Sequence, residues 1–475
     1  MVEINFTEEV TKRKDALMAD LDKMLRINSE RNDALADKEN PFGPGPRAAL
    51  DAFLALAKRD GYATTNVDNY VGHFEYENGA ADDAEVLGIF AHLDVVPAAE
   101  QLGWETNPYE PVIKDGNLYA RGASDDKGPT MACYYGLKIL KELNVPLSKK
   151  IRFIAGTDEE SGWSDMDYYF AHYDGKLPDF GFSPDAEFPI INGEKGNVTE
   201  FLHYDGSNGG TVTLESFTSG LRFNMVPEVA TAVISGETDD LKAALDAFVA
   251  KFAEKKITYT LAQANGKATL VLNGKGAHGA MPEMGVNAAT YLAAFLDTLD
   301  FGGAAKEYLH IGGVTLLEDH AAERLGTAYN DALMGGMTVN PGVWNFKAGE
   351  DSTIALNFRF PQGTDKDVIK SVLVKLSGVV DVEIAPHDMN PHYVPQEDEL
   401  VKTLLAVYEK HTGLKGYETI IGGGTFGRLL KRGVAYGAMF EGEVDTMHQA
   451  NEFKPVAAIL KAAAIYAEAI YELAK

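Results

Sequence analysis

Residue types that bind metal ions sit near both ends of this 475-residue chain, and no other feature constrains the fold as strongly. Five stretches each end a predicted strand or open a predicted helix. They are Ala91-His92-Leu93-Asp94, Ser124-Asp125-Asp126-Lys127-Gly128, Asp158-Glu159-Glu160, Ser183-Pro184-Asp185-Ala186 and Thr446-Met447-His448. Together they supply two histidines and several carboxylates, enough for two divalent cations beside a spare carboxylate. That set is the minimum equipment for hydrolysing an amide with a cation-activated water, and it implies a metallohydrolase. A site drawing on both His92 and His448 requires the two ends of the chain to fold together. The middle is then an excursion from one domain.

The hydrophobic pattern agrees with that division. Glu85 to Ala91 is a near-continuous apolar run, Pro129 to Leu143 has helical periodicity, Lys150 to Gly156 is a second buried-type run and Phe180 to Ser183 a short third. Strands of this kind with helices between them predict an α/β domain: a mixed, largely parallel sheet flanked by helices. Thr7 with Glu8 and Glu9 marks a helix start, followed by an apolar face of Val10, Leu17, Leu21, Met24 and Leu25. In the middle, Lys267 to Leu272 and Thr353 to Phe360 alternate polar and apolar residues, which suits a sheet with one face exposed. Thr231 to Ser235, Gly236-Glu237-Thr238-Asp239, a helix and Ile257 to Leu261 echo Ile354 to Phe360, Gly363-Thr364-Asp365, a helix and Val380 to Ile384. Thr238 and Thr364 precede an aspartate as helix N-caps would. The echo fits two related α+β halves, or two unrelated capping sites. The expected organisation is a catalytic domain of residues 1–193 and 391–475, with a two-part α+β lid domain inserted at 194–390.

Length alone predicts two or three folding units. Seventy-one acidic against forty-three basic residues give a net charge of −28, which argues against nucleic acid or anionic membrane as partners. The N-terminus has no apolar run of the secretory type, and Pro455 to Leu473, interrupted by Lys461 and Glu468, reads as an amphipathic helix. The single cysteine, Cys133, fits a reducing compartment, so a cytoplasmic location is expected. Apolar neighbours favour a buried, inert thiol there.

Each motif also has a plain structural reading. His92 and Asp94 leave a strand on the same side, so Asp94 can accept the second N–H of an imidazole that ligates metal, or the pair can be an ordinary buried hydrogen bond. Asp125-Asp126-Lys127 can be an N-cap with solvated charges, or Asp125 can bridge two cations with its two oxygens. Glu159 and Glu160 point apart, so one can ligate while the other addresses a water. Ile421-Gly422-Gly423-Gly424-Thr425-Phe426-Gly427-Arg428 matches G-x-G-x-x-G between a predicted strand and a predicted helix, with Glu441 beyond it. That pattern serves a dinucleotide-binding oxidoreductase, or the carboxylate of a smaller substrate. Most other histidines have no partner in view, but His278 lies in the glycine-rich break Gly274-Lys275-Gly276-Ala277-His278-Gly279-Ala280.

Taken in order, these residues resemble the co-catalytic di-zinc peptidase and deacylase family that includes carboxypeptidases, aminoacylases and succinyl-diaminopimelate desuccinylase, and within it the bacterial dipeptidases of the PepV type. The resemblance runs from about residue 10 to 473. It is most specific at Asp125 to Pro129, Phe182 to Glu187, Ile421 to Arg428 and Met447 to Glu452. It implies that Asp125 bridges two divalent cations, with His92 and Asp185 completing one site and Glu160 and His448 the other. Zinc is the expected metal, and manganese and cobalt suit the same ligands. It further implies Glu159 as general base, Asp94 as support for His92, and a cis peptide after Asp125. His278, Asn224 and Arg359 of the lid would contact substrate, His278 as an oxyanion donor, while the loop through Gly424 and Thr425 would hold a substrate carboxylate. The implied activity is hydrolysis of unblocked dipeptides through a water bridging the cations. N-acyl-amino-acid deacylase or carboxypeptidase is the nearest alternative, and an inactive metal-binding scaffold the non-enzyme one. The doubled lid implies a monomer, since its second half would fill a partner's role.

Overall fold

The computed structural model describes residues 4–98, 103–237 and 240–475. The chain divides into two compact units, Met1–Gly193 with Tyr393–Lys475, and Glu194–His392. Thr238 and Asp239, part of the echo noted in the sequence, lie outside the described residues.

The first unit is built on a mixed sheet. The strands Ala63–Val67, Val71–Tyr76, Lys150–Gly156, Val86–His92, Phe180–Ser183 and Gly433–Ala435 lie side by side in that order. The three pairings at the centre are parallel and the two at the first edge antiparallel. Every residue of Val86–His92 is buried, which is why that run carries no polar alternation. Parallel strands end at the same edge of a sheet. His92 is in register with Gly156, so the segments after Val86–His92, Lys150–Gly156 and Phe180–Ser183 all emerge together.

Helices Phe6–Leu25, Lys127–Glu142 and Val456–Ala474 pack together beside this sheet. At Gly136 a Cβ would lie 2.8 Å from the backbone nitrogen of Ala467, so the two helices approach as closely as they do only because that side chain is missing. The first helix starts one residue earlier than Thr7 predicts, because the Asn5 side chain accepts the Glu8 N–H at 3.1 Å and caps it. The helix Val456–Ala474 corrects another expectation. Its Glu468 is 5% exposed rather than on a solvent face, and it pairs with Lys410 and, at 2.6 Å, with His411. Cys133 is fully buried, and burial pushes its thiol up.

The second unit is an antiparallel sheet of eight strands with helices on one face. The order is Thr258–Ala264, Lys267–Asn273, Val229–Gly236, Val212–Ser219, Thr338–Lys347, Ser352–Phe360, Gly196–Tyr204 and Asp381–Ile384. Each half has a hairpin, then a helix, then the edge strand. In one half these are Val212–Ser219 with Val229–Gly236, Leu241–Lys251 and Thr258–Ala264. In the other they are Thr338–Lys347 with Ser352–Phe360, Lys366–Leu373 and Asp381–Ile384. The strand next to each edge enters from opposite ends of the unit, Lys267–Asn273 last in one half and Gly196–Tyr204 first in the other. The cap of Lys366–Leu373 is Asp365, whose side chain accepts the Val368 N–H at 2.9 Å, and not Thr364. Among the described residues no helix is long and apolar enough to cross a membrane.

Candidate metal centre

The common edge of the parallel strands collects carboxylates around one imidazole. His92, fully buried, ends its strand. Its Nδ1 lies 3.2 Å from the backbone carbonyl of Asp94 and 3.4 Å from Asp94 Oδ1. An N–H donated there leaves Nε2 to ligate. Nε2 lies 3.1 Å from Asp125 Oδ1 and 3.5 Å from Asp185 Oδ2. The other Asp125 oxygen is 2.9 Å from His448 Nε2, which is also 3.1 Å from Glu160 Oε2. The contacts therefore fall into two halves around Asp125, one with His92 and Asp185, the other with His448 and Glu160. Ligating atoms of His92, Glu159 and Asp185 also lie within 4.8 Å of one another, as do those of His92, Asp125 and Glu160.

The electrostatics of the cluster are those of a cation site. Burial pushes Glu160 up to about 7, Glu159 well above the usual carboxylate range, and Asp185 upward with help from the Asp125 charge. Burial works against the charged imidazoles, but the hydrogen bonds His448 donates to Asp125 and Glu160 lift it to about 11, and the Asp185 charge lifts His92. Asp125 alone is held below its ordinary value, where bonds from His448 and His92 overcome burial. Two imidazoles do not balance this many carboxylates, and Glu160 Oε1 is buried without a hydrogen-bond partner among the described residues. A mixed imidazole and carboxylate set with an orphaned oxygen fits divalent cations of the zinc, manganese and cobalt type.

The supports of this cluster are mostly invisible in the sequence. The Asp94 carboxylate accepts the backbone N–H groups of Glu159 and Glu160, at 3.2 and 3.1 Å, and so holds the turn that carries both glutamates. Asp158 of the same turn is tied to Arg31 at 2.6 Å, and Asp165 accepts the N–H groups of Thr157 and Asp158. Asp126 and Lys127 are fully buried, so neither is the solvated charge of a plain N-cap. Asp126 Oδ2 accepts from the His92 N–H and the Thr130 hydroxyl, and Lys127 Nζ donates to the Ile27 carbonyl at 2.7 Å. The Asp125–Asp126 peptide is cis. Glu452 accepts four hydrogen bonds from Arg121, Gly122, Ser124 and Asp125. Glu452 closes the stretch Met447 to Glu452 that carries part of the resemblance, but its partners are not visible in the sequence.

The glycine loop differs from the nucleotide-binding pattern. A strand, Thr419–Ile421, does precede it, but it opens a single 3-10 turn, Phe426–Leu429, with no α-helix after it to gather N–H groups on a pyrophosphate. Thr425 caps that turn by accepting the Gly427 N–H at 3.0 Å, next to the half-buried Gly424. Phe426 meets the His92 ring edge-on at 6.3 Å.

The remaining candidates belong to the second unit. Asn224 and His278 are neighbours there: the Gly279 N–H donates to the Asn224 carbonyl at 2.7 Å, and Met225 bridges to His278. Asn224 and Arg359 line one cleft of about 650 Å³. Arg359 is 6% exposed, and its Nε donates to Asn357 Oδ1 at 3.2 Å. Asn357 in turn donates to Asn197 and Thr199, giving the cleft a polar floor.

Comparison with known proteins agrees with this chemistry. The model of peptidase family M20/M25/M40 matches residues 88–472. The Beta-Ala-Xaa dipeptidase of Lactobacillus delbrueckii subsp. lactis is 43% identical over 477 residues, covering 100% of this chain and 99% of that protein. Two solved structures share the fold at low identity. The M20 family metallo-carboxypeptidase Sso-CP2 of Sulfolobus solfataricus has a TM-score of 0.57 at 17% identity, over 96% of this chain and 98% of that one. The di-peptidase Dug1p of Saccharomyces cerevisiae has a TM-score of 0.58 at 13% identity, over 98% of each chain. With a full-length relative at this identity and a family model spanning most of its length, the chain belongs to peptidase family M20/M25/M40.

Proposed function

We propose that this protein hydrolyses unblocked dipeptides, with two divalent cations, zinc foremost, held by His92, Asp125, Glu160, Asp185 and His448. The observation that carries the reading is Asp125, whose two oxygens face one imidazole each, 3.1 Å from His92 and 2.9 Å from His448. When bound, such cations polarise the scissile carbonyl and make a water acidic enough to lose a proton near neutral pH. Glu159, beside the ligands but not needed by either half, takes that proton as general base. It then returns the proton to the leaving nitrogen as the C–N bond breaks, so that one water adds across the amide and two amino acids are released. Asp94 keeps Glu159 and Glu160 in place through their backbone N–H groups.

The second unit acts as a lid in this reading. Arg359 pairs its planar fork with the substrate's C-terminal carboxylate, Asn224 and the loop of Gly424 and Thr425 add hydrogen bonds, and His278 donates to the developing oxyanion. The identity to the Lactobacillus Beta-Ala-Xaa dipeptidase supports short, free dipeptides as substrates, β-alanyl ones included. The enzyme is further proposed to work as a cytoplasmic monomer.

The test is turnover by purified protein, dialysed free of metal and then supplied with zinc, manganese or cobalt, on a panel of α-dipeptides, β-alanyl dipeptides, tripeptides and N-acetyl amino acids. Cation-dependent cleavage concentrated on free dipeptides is expected. Cleavage of N-acetyl amino acids without dipeptides would make the protein a deacylase, and no cleavage of any of them would overturn the reading.

A further inference from the structure

Glu452 is fully buried and makes four hydrogen bonds, all to one short loop. Its Oε2 accepts from Arg121 Nη1 at 2.7 Å and the Gly122 N–H at 3.1 Å, and its Oε1 from the Ser124 N–H at 2.7 Å and the Asp125 N–H at 3.1 Å. Each oxygen has two donors, so the carboxylate is saturated and its orientation fixed. Arg121 forms an ion pair with it at 2.7 Å, and lies 5.2 Å from the Trp104 ring. The backbone beyond Glu452 continues the attachment, since the Ala120 N–H donates to the Glu452 carbonyl and strand Phe453–Pro455 pairs with Asn117–Tyr119.

This arrangement joins two segments more than 300 residues apart in the chain, one carrying Asp125 and the other His448. His448 lies 2.9 Å from Asp125 but does not hold it from a buried position. It is 55% exposed and has a left-handed backbone, φ 61°. Glu452 is buried and links the two segments through its side chain.

We infer that Glu452 is a positioning residue of the metal centre: by gripping the N–H groups of Ser124 and Asp125 it aims the two oxygens of Asp125 at the two halves of the site. The inference rests on the proposed roles of Asp125 and His448 as ligands. Because Asp125 is shared, displacing it weakens both halves together, whereas a change at Glu160 or Asp185 weakens one. Glu452→Gln tests this, since the amide replaces one acceptor oxygen by an NH2 group that faces two donors.

The measurement is calorimetric titration of metal-free protein with zinc, beside thermal unfolding with and without zinc. Wild type should take up two cations. Glu452→Gln should lose affinity for both by about 10–100-fold, the range found when a partner behind a metal ligand is removed. The extra thermal stability that zinc confers should shrink, and kcat on a dipeptide should recover as zinc is raised, with KM unchanged. Wild-type affinities in Glu452→Gln, weakening of one cation only, or an equal loss of unfolding temperature with and without zinc would each overturn the inference. Wild type binding no zinc would instead overturn the proposed function. If Glu452→Gln does not fold, hydrogen exchange of metal-free wild type decides. The Ser124 and Asp125 amides should be strongly protected, and exchange at the rate of exposed loop amides would refute the grip.

Discussion

Replacing each of the adjacent glutamates by glutamine separates ligand from base. Glu160 Oε2 is 3.1 Å from His448 and shares that half of the site with one oxygen of Asp125, so the half has three donors from the chain. Removing one charged donor of three should cost at least as much cation affinity as losing a partner behind a ligand, about 10–100-fold, or about 1.4–2.7 kcal/mol. Glu160→Gln should therefore leave gel filtration with close to one cation. In the proposed roles Glu159 is the base and not a ligand, so Glu159→Gln should keep both cations and still bind dipeptide. Its kcat should fall by the ~10²–10⁴-fold typical of a lost general base, about 2.7–5.4 kcal/mol in the barrier. Metal content by mass spectrometry and turnover of both variants are the assay. If Glu159→Gln loses a cation while Glu160→Gln stays loaded and inactive, the two roles are exchanged. Near-normal turnover in either variant would mean that this cluster is not the catalytic site.

Three further outcomes are expected. Arg359→Ala should raise KM for dipeptides strongly, and His278→Ala should mainly lower kcat, by about a hundredfold or more; an effect of His278→Ala on KM alone would remove its oxyanion role. Asp20 is opposed by burial, but bonds from Arg59, Tyr135 and Lys23 hold its carboxyl at about 2. A lowered folded value means stability that is present at neutral pH and lost as pH falls from about 4 through 2. With Arg59 44% exposed that contribution is discounted to about 1 kcal/mol, so Asp20→Asn should lose about that much at pH 7 and only a small part of it at pH 2, as urea unfolding at both pH values will show. Light scattering at low concentration should find a monomer, and a stable dimer would refute the argument from the doubled lid.

Local pattern and tertiary context contributed different things to this protein. The near-continuous apolar run ending at His92 and the buried-type run ending at Gly156 specified buried strands, because a strand covered on both faces has little place for polar alternation. Cation-binding residue types at strand ends were legible for the same local reason, and His448 at the far end of the chain implied that the ends meet. Sheet order was not legible. It put Lys150–Gly156 and Phe180–Ser183 on opposite sides of Val86–His92, so that Glu160 comes to lie beside His448 and Asp185 beside His92. Nor did the sequence reveal which charges are buried. Glu468 looked like a break in an apolar face until His411 and Lys410 met it, and Asp126 and Lys127 looked like a solvated cap until the packing of the helix enclosed them. The one-turn 3-10 helix after Thr425 was likewise hidden by a glycine pattern that also opens α-helices. Element type and donor chemistry are properties of neighbours along the chain. The partners of Glu452, about 330 residues away, and of Asp94, 65 and 66 residues away, are set only when the sheet assembles, because a buried carboxylate takes its hydrogen bonds from whatever backbone the fold brings beside it.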